Sequence, residues 1–216
     1  MHFDVFNGDA DGIIALLQLR LAEPKKSTLI TGVKRDIQLL QQVPIAQASS
    51  VTVLDISMEK NIDALYDLIE RDIPLFYCDH HRTGEVPQAD NFTALINLDA
   101  NTCTSLLINQ HLAGRYTDWA IVGGYGDNML ASAEQLADTA GFSLEEKAFL
   151  KELGTLINYN GYGASIDDLH IAPKELFKQL IKCQSPFDLQ CDLSSSYYVI
   201  KQGYESDNQF VQSLVP

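Results

Sequence analysis

The chain has 216 residues and carries 15 Lys and Arg against 29 Asp and Glu, a formal net charge of −14. Its 46% hydrophobic and 20% charged residues are ordinary globular usage, which excludes a disordered or collagen-like chain and suffices for one large domain with its own core. The acid excess argues against binding long duplex nucleic acid, which calls for a basic face, and leaves room for a small or metal-bridged phosphate ligand.

In chain order, Phe3–Phe6 reads as a strand, followed by a Gly/Asp turn and a helix from Gly12 to Ala22 that Glu23-Pro24 terminates. Leu29–Val33 is a second strand, and Ile37–Gln42 a short helix stopped before Pro44. Val51–Leu54 is a third strand. A helix follows over Asn61–Glu70, where Ile62, Leu65, Leu68 and Ile69 recur at helical spacing. Leu75–Cys78 and Thr93–Ile96 are the fourth and fifth strands. Beyond residue 100 the pattern is helical over Thr104–Ala113, Trp119–Val122, Ala131–Thr139, Leu144–Leu156, Pro173–Cys183 and Tyr197–Leu214, with a capping box at Ser143 and Glu146. The fold class expected is α/β: a parallel five-stranded sheet with helices on both faces, then a helical C-terminal extension.

The longest apolar runs fall far short of the ~20 residues that span a bilayer. Met1-His2-Phe3-Asp4 lacks the basic start of a secretory signal. A cytoplasmic protein without membrane contact is expected. Cys78, Cys103, Cys183 and Cys191 form no C-x-x-C pair and read as reduced, small core residues.

Open parallel sheets bind ligands beyond the carboxyl ends of their strands. Asp9 and Asp11 follow the first strand, Asp55 the third, and Asp79-His80-His81 the fourth, so all emerge at one edge. Singly these segments also read as turns and caps. Together, several carboxylates and an imidazole at one rim repel at several kcal/mol unless a cation sits among them. A donor set rich in carboxylates and free of thiolate favours Mn2+ or Mg2+. Two ions bridged by a carboxylate, about 3.5–4 Å apart, are a recurrent means of phosphoester hydrolysis.

Asn7-Gly8-Asp9-Ala10-Asp11-Gly12, Asp55 after an apolar strand, Asp79-His80-His81, and Gly123-Gly124-Tyr125-Gly126-Asp127 resemble the four ordered motifs of the DHH phosphoesterase family. That family includes RecJ-type exonucleases, nanoRNases, cyclic-dinucleotide phosphodiesterases and, more distantly, family II inorganic pyrophosphatases. The resemblance implies a catalytic domain over 1–163, with 164–216 as the extension packed on it. It implies two Mn2+ ions, Mg2+ being the alternative. Asp9 and Asp55 would hold one, with Asn7 beside it; Asp11, Asp55, His80 and Asp127 would hold the other. His81 would face the substrate, Asp79 would orient a histidine, and Arg82 would grip phosphate. Lys34 and Arg35 are weaker phosphate-binding candidates. Leu156–Gly163 is similar to the Asn/Gly-rich loop that follows the core in RecJ-like members, which implies substrate contacts for Asn158 and Asn160.

Two departures stand out. Asn7 occupies a position that is commonly His or Asp in the family, and no Gly-Gly-Gly-His-type run follows Gly163. The activity expected is hydrolysis of a phosphodiester or phosphoanhydride in a small phosphate ester, nucleotide or short oligonucleotide. The alternatives are a metal- or nucleotide-binding regulatory module with weakened turnover and a pyrophosphatase-like activity; a homo-oligomer is left open. His111 and His170 read as surface or satisfied core residues, and Tyr159 and Tyr162 either stack a base or pack their loop.

Overall fold

The computed structural model describes residues 1–214. Strands β1 (His2–Phe6), β2 (Ser27–Ile30), β3 (Ser50–Leu54), β4 (Leu75–Asp79) and β5 (Phe92–Ile96) form one sheet in the order β2-β1-β3-β4-β5, every neighbouring pair parallel. The chain reverses direction across the sheet between β1 and β3, which opens the ligand-binding crevice of such sheets beyond those two strands. Eight α-helices among the described residues complete the fold: α1 (Ala10–Ala22), α2 (Ile62–Glu70), α3 (Thr104–His111), α4 (Thr117–Gly126), α5 (Leu130–Ala140), α6 (Leu144–Asn160), α7 (Pro173–Leu180) and α8 (Ser196–Ser213).

The strand alternation divides the core in two. Phe3, Val5, Val51, Val53, Leu75 and Tyr77 face one side, where Ala64, Leu65 and Leu68 of α2 cover them. Phe6, Leu54 and Cys78 face the other, against α1 and the later helices, including Leu176 and Phe177 of α7 and Tyr197 and Ile200 of α8. The helix α1 is buried from Ala10 to Arg20, as expected of a segment apolar all round. None of the described helices is long and apolar enough to cross a membrane.

Several boundaries differ from the sequence pattern for definable reasons. The helix α1 starts at Ala10 rather than Gly12, because the Asp9 side chain accepts the Gly12 N–H and caps it. β2 covers Ser27–Ile30 rather than Leu29–Val33. Past Ile30 the chain turns so that Gly32 lies against Gly8, where a Cβ would stand 1.7 Å from the Gly32 carbonyl oxygen. The helix expected over Ile37–Gln42 is only a 3-10 turn at Leu40–Gln42. The Asn61 side chain there takes the Leu40 N–H and donates to the Ile37 carbonyl, at 3.2 and 2.7 Å, in place of intrahelical bonds. The helix α6 continues to Asn160, so Asn158 and Asn160 belong to its last turn and not to a loop. Cys191 is exposed and Cys183 half-buried, so the core reading holds only for Cys78 and Cys103; all four are free thiols.

A buried polar cluster ties α1 to the sheet. Arg20 Nε and Nη2 donate to Asp4 at 2.9 and 2.5 Å, Ser27 Oγ donates at 2.5 Å, and His2 Nε2 lies 3.0 Å away. Burial alone would raise the Asp4 pKa; bonds from Arg20 and His2 outweigh it and hold the carboxyl at about 2. The group is depressed, so its stabilisation is present above the ordinary carboxylate pKa and is lost as pH falls towards about 2. Arg20→Leu strands the buried Asp4 charge, and urea unfolding is expected to show a loss of about 3–5 kcal/mol.

Candidate metal centre

Four chain segments meet beyond the carboxyl ends of β1, β3 and β4. Asp9 and Asp11 stand at the start of α1 and Asp55 directly after β3. Asp79 ends β4 with His80 and His81 behind it, and Asp127 caps the C-terminus of α4. Close packing of glycines puts Asp127 there. A Cβ on Gly126 would lie 2.3 Å from Ala10 Cβ and 2.8 Å from the Gly154 carbonyl oxygen, so only glycine lets α4 pass this close to α1 and α6. Asp55 itself adopts a left-handed backbone, φ 57°, a conformation that Asp and Asn tolerate best among residues other than glycine. Tyr77 Oη fixes the following residue by donating to the Ile56 carbonyl at 2.7 Å, and Ser57 Oγ ties this loop to the Arg82 carbonyl at 3.0 Å.

His80 Nε2 is the centre of the group. It lies 3.5 Å from Asp55 Oδ1, 3.5 Å from Asp127 Oδ2 and 3.7 Å from Asp11 Oδ2. It is buried with no hydrogen-bond partner among the described residues. These separations are too long for hydrogen bonds and suit donors that converge on a shared cation. Buried polar atoms without partners are rare, and one ringed by three carboxylates fits a divalent ion better than any protein group. Two further triads of metal-ligating atoms fall within 4.8 Å of one another: Asp55, His80 and His81, and Asp11, Cys103 and Asp127. Burial, with the Asp11 charge second, pushes the Cys103 thiol well up.

The carboxylates feel one another strongly. Burial, then the charges of Asp11, Asp9, Asp79 and Asp127, raises the Asp55 pKa well above the ordinary range. Burial, with Asp11 and Asp9, pushes Asp127 up to about 8. Asp9 moves the other way. Burial opposes its ionisation, and the Lys34 ammonium overrides it; Lys34 in turn is held above the usual lysine range by Asp9 despite its own burial.

Asp11 is oriented by groups that the sequence pattern did not reveal. The N-terminus of α3 points at it: Thr104 N–H and Ser105 N–H donate to its two oxygens at 2.7 Å each, and Ser105 Oγ adds a further bond. Cys103, the residue that would cap α3, makes no capping bond, so Asp11 caps this helix from across the fold. The cue in the sequence was a helix start with no side-chain cap of its own.

The other expected site residues divide. His81 Nδ1 lies 2.7 Å from Asp79 Oδ1, which orients the ring and leaves Nε2 for the open side; the side chain is 46% exposed. This bond, ahead of the opposing burial, raises the His81 pKa. Arg82 is exposed beside it. Lys34 Nζ is 2.8 Å from Asp9 Oδ2 and 2.9 Å from Asn158 Oδ1. Asn7 turns inward, its Oδ1 accepting the Asp9 N–H and its Nδ2 donating to the Lys34 carbonyl, both at 3.2 Å. Arg35 is spent on the Gly163 carbonyl. Asn160 does not face the site: it is buried and clamps Ile171, bonding both its N–H and its carbonyl. Tyr159 packs on His170 and Tyr204 and donates to Asp207, whereas Tyr162 is 63% exposed.

This fold is that of a RecJ-like DHH protein. A crystal structure of exonuclease RecJ bound to manganese superposes on the whole chain with TM-score 0.60 at 15% identity. RecJ in complex with Mn2+ from Thermus thermophilus does so with TM-score 0.60 at 14% identity. The chain spans 65% of the first of these proteins and 37% of the second. No protein-family model and no curated protein matches the sequence.

Proposed function

We propose that the protein is a Mn2+-dependent phosphoesterase that hydrolyses a phosphodiester or phosphoanhydride in a small or short nucleotide-like substrate. The observation that carries this reading is His80 Nε2, buried, without a hydrogen-bond partner among the described residues, and ringed by Asp11, Asp55 and Asp127 at the crevice where such sheets bind ligands. The manganese in the two RecJ structures and the carboxylate-rich donor set support Mn2+, with Mg2+ as the alternative.

Asp11, Asp55, His80 and Asp127 would hold a divalent cation, which would supply acidification of water and positive charge for the phosphate. The chain's own groups supply the rest. The Asp79 carboxylate beside His81 raises its pKa and holds the ring, and Nε2 delivers a proton to the leaving oxygen. Arg82 and the Lys34 ammonium flank the crevice and grip phosphate oxygens. A groove of ≈ 530 Å³, lined by Lys34, Arg35 and Gly161–Ala164, continues from there. The exposed Tyr162 ring offers a surface on which one base can stack. With so few cations at the crevice, the fit is to a short ligand rather than a long duplex.

The test is hydrolysis by metal-stripped protein resupplied with Mn2+ or Mg2+, using bis-p-nitrophenyl phosphate, cyclic dinucleotides, short single-stranded oligonucleotides and pyrophosphate. Hydrolysis of a nucleotide substrate supports the reading. Metal binding without turnover supports the regulatory module instead, and phosphate release from pyrophosphate alone supports a pyrophosphatase. In the active case His81→Ala is expected to cut kcat on an oligonucleotide by about 10²–10⁴-fold. The same variant loses far less on bis-p-nitrophenyl phosphate, whose leaving group needs no proton. An equal loss on both substrates removes His81 as the acid.

A further inference from the structure

The Asp9 side of the centre differs from the His80 side in its charge. Around His80 Nε2 stand three carboxylates, and among the described residues no cation lies within hydrogen-bonding distance of that nitrogen. Around Asp9 a cation is already built in. Lys34 Nζ is 2.8 Å from Asp9 Oδ2, 2.9 Å from Asn158 Oδ1 and 4.0 Å from Asp127 Oδ1.

Four contacts fix that ammonium where it is. The Lys34 N–H donates to the Gly161 carbonyl at 2.9 Å, and its own carbonyl accepts from Asn7 Nδ2. The Tyr162 ring lies 5.4 Å from Nζ, and Asn158 reaches it from the last turn of α6. The Gly8–Gly32 contact holds the turn after β1 against the turn after β2 and so brings Lys34 over Asp9. Asn7, meanwhile, brings no charge and has both polar atoms of its amide engaged with backbone. A second divalent ion would have to displace a paired ammonium and recruit a neutral side chain that faces the other way.

We propose that the Lys34 ammonium stands in for the second metal ion: the centre takes one divalent cation at Asp11, Asp55, His80 and Asp127, and Lys34 supplies the remaining positive charge at Asp9. This rests on the phosphoesterase reading and revises its two-ion expectation. The fixed cation does not exchange with solvent, so the Asp9 side keeps its charge when free metal is scarce. A phosphate in the crevice would meet the Lys34 ammonium on the Asp9 side and the charge of a single cation on the His80 side.

The experiment is metal stoichiometry, by elemental analysis after gel filtration and by electron paramagnetic resonance with Mn2+ in large excess. The wild-type protein is expected to hold one ion per chain and to give the six-line spectrum of isolated Mn2+. Asn7→Asp alone is expected to stay at one ion, because Lys34 still fills the place. Asn7→Asp combined with Lys34→Met is expected to hold two ions, with the broadened, multi-line spectrum of an exchange-coupled pair. A coupled pair in the wild type or in Asn7→Asp overturns the proposal, as does a folded double variant that stays at one ion. Should the double variant not fold, the other two proteins still decide. No bound ion and no hydrolysis in the wild type reject the phosphoesterase reading itself, whereas two bound ions with hydrolysis reject only the role of Lys34.

Discussion

Asp55→Asn is expected to raise the melting temperature of the metal-free protein and to abolish its further rise with Mn2+. Asp55 is 2% exposed, and in the absence of a cation its ionisation is opposed by burial and then by Asp11, Asp9, Asp79 and Asp127. An amide of the same shape removes a carboxylate whose ionisation burial and four neighbouring acids oppose, and tolerates the positive φ of 57° at this position. The usual effect of changing a buried residue is destabilisation, so a gain in stability identifies repulsion as the dominant local effect. The same change deletes a carboxylate that lies 3.5 Å from His80 Nε2 and 3.7 Å from His81 Nδ1. In the wild type, Mn2+ at about 100 times its Kd adds about 2.7 kcal/mol. For a chain of this size that raises the melting temperature by roughly 5–10 °C. The variant loses this increment, and its hydrolytic rate falls by at least about 10²–10³-fold, the scale for one preorganised electrostatic group. Differential scanning calorimetry with and without EDTA reads the stability effects, and a hydrolysis assay reads the rate. A variant less stable without metal and still stabilised by Mn2+ would show that Asp55 packs the fold and binds no ion.

Much of this arrangement was legible from residue order alone. Short apolar runs bounded by turn residues placed all five strands, and the rule that ligands sit beyond strand ends converted Asp9, Asp11, Asp55 and His80 from scattered residues into neighbours. That step uses topology alone, so it survives errors of several residues in an element boundary, such as the shift of β2 from Leu29–Val33 to Ser27–Ile30. What stayed hidden depends on side chains meeting across long sequence distances. Nothing local pairs Lys34 with Asn158, 124 residues on, or aims the start of α3 at Asp11, 93 residues before. Asn160 illustrates the opposite hazard. Its place in an Asn/Gly-rich run suggested a substrate contact, yet burial at the end of α6 commits its amide to Ile171. Composition cannot distinguish a side chain facing a ligand from one bonded to its own backbone.

Without metal, the protein is expected to lose stability as pH rises from about 5 to about 8, the reverse of ordinary acid denaturation. Asp127 is pushed up to about 8 and Asp55 well above its ordinary value, in each case by burial first and neighbouring carboxylates second. Groups whose folded-state pKa is raised contribute stability that is complete below their unfolded value, near 4, and that drains away as pH climbs through the folded value. His81 acts in the same sense through its bond to Asp79, over the range above its ordinary value. A tenfold change in an ionisation constant on folding corresponds to about 1.4 kcal/mol. Asp4 and Asp9 oppose this trend, since both are depressed, Asp4 by Arg20 and His2 and Asp9 by Lys34 against the burial of each. Their contribution is complete above their unfolded value, near 4, and is lost only below it, so it sets the acid limb, and the optimum falls in mildly acidic solution. A divalent cation takes the place of the protons that Asp55 and Asp127 would otherwise retain. Its binding therefore releases protons and tightens over the interval in which the metal-free protein weakens. Urea titrations at about pH 5, 6.5 and 8 should show a falling midpoint in EDTA and a nearly level one in saturating Mn2+, with Asp55→Asn flattening the EDTA series. A metal-free midpoint that climbs steadily across this range would mean that the carboxylates are already ionised and tolerated, and that the centre has no electrostatic need of a metal.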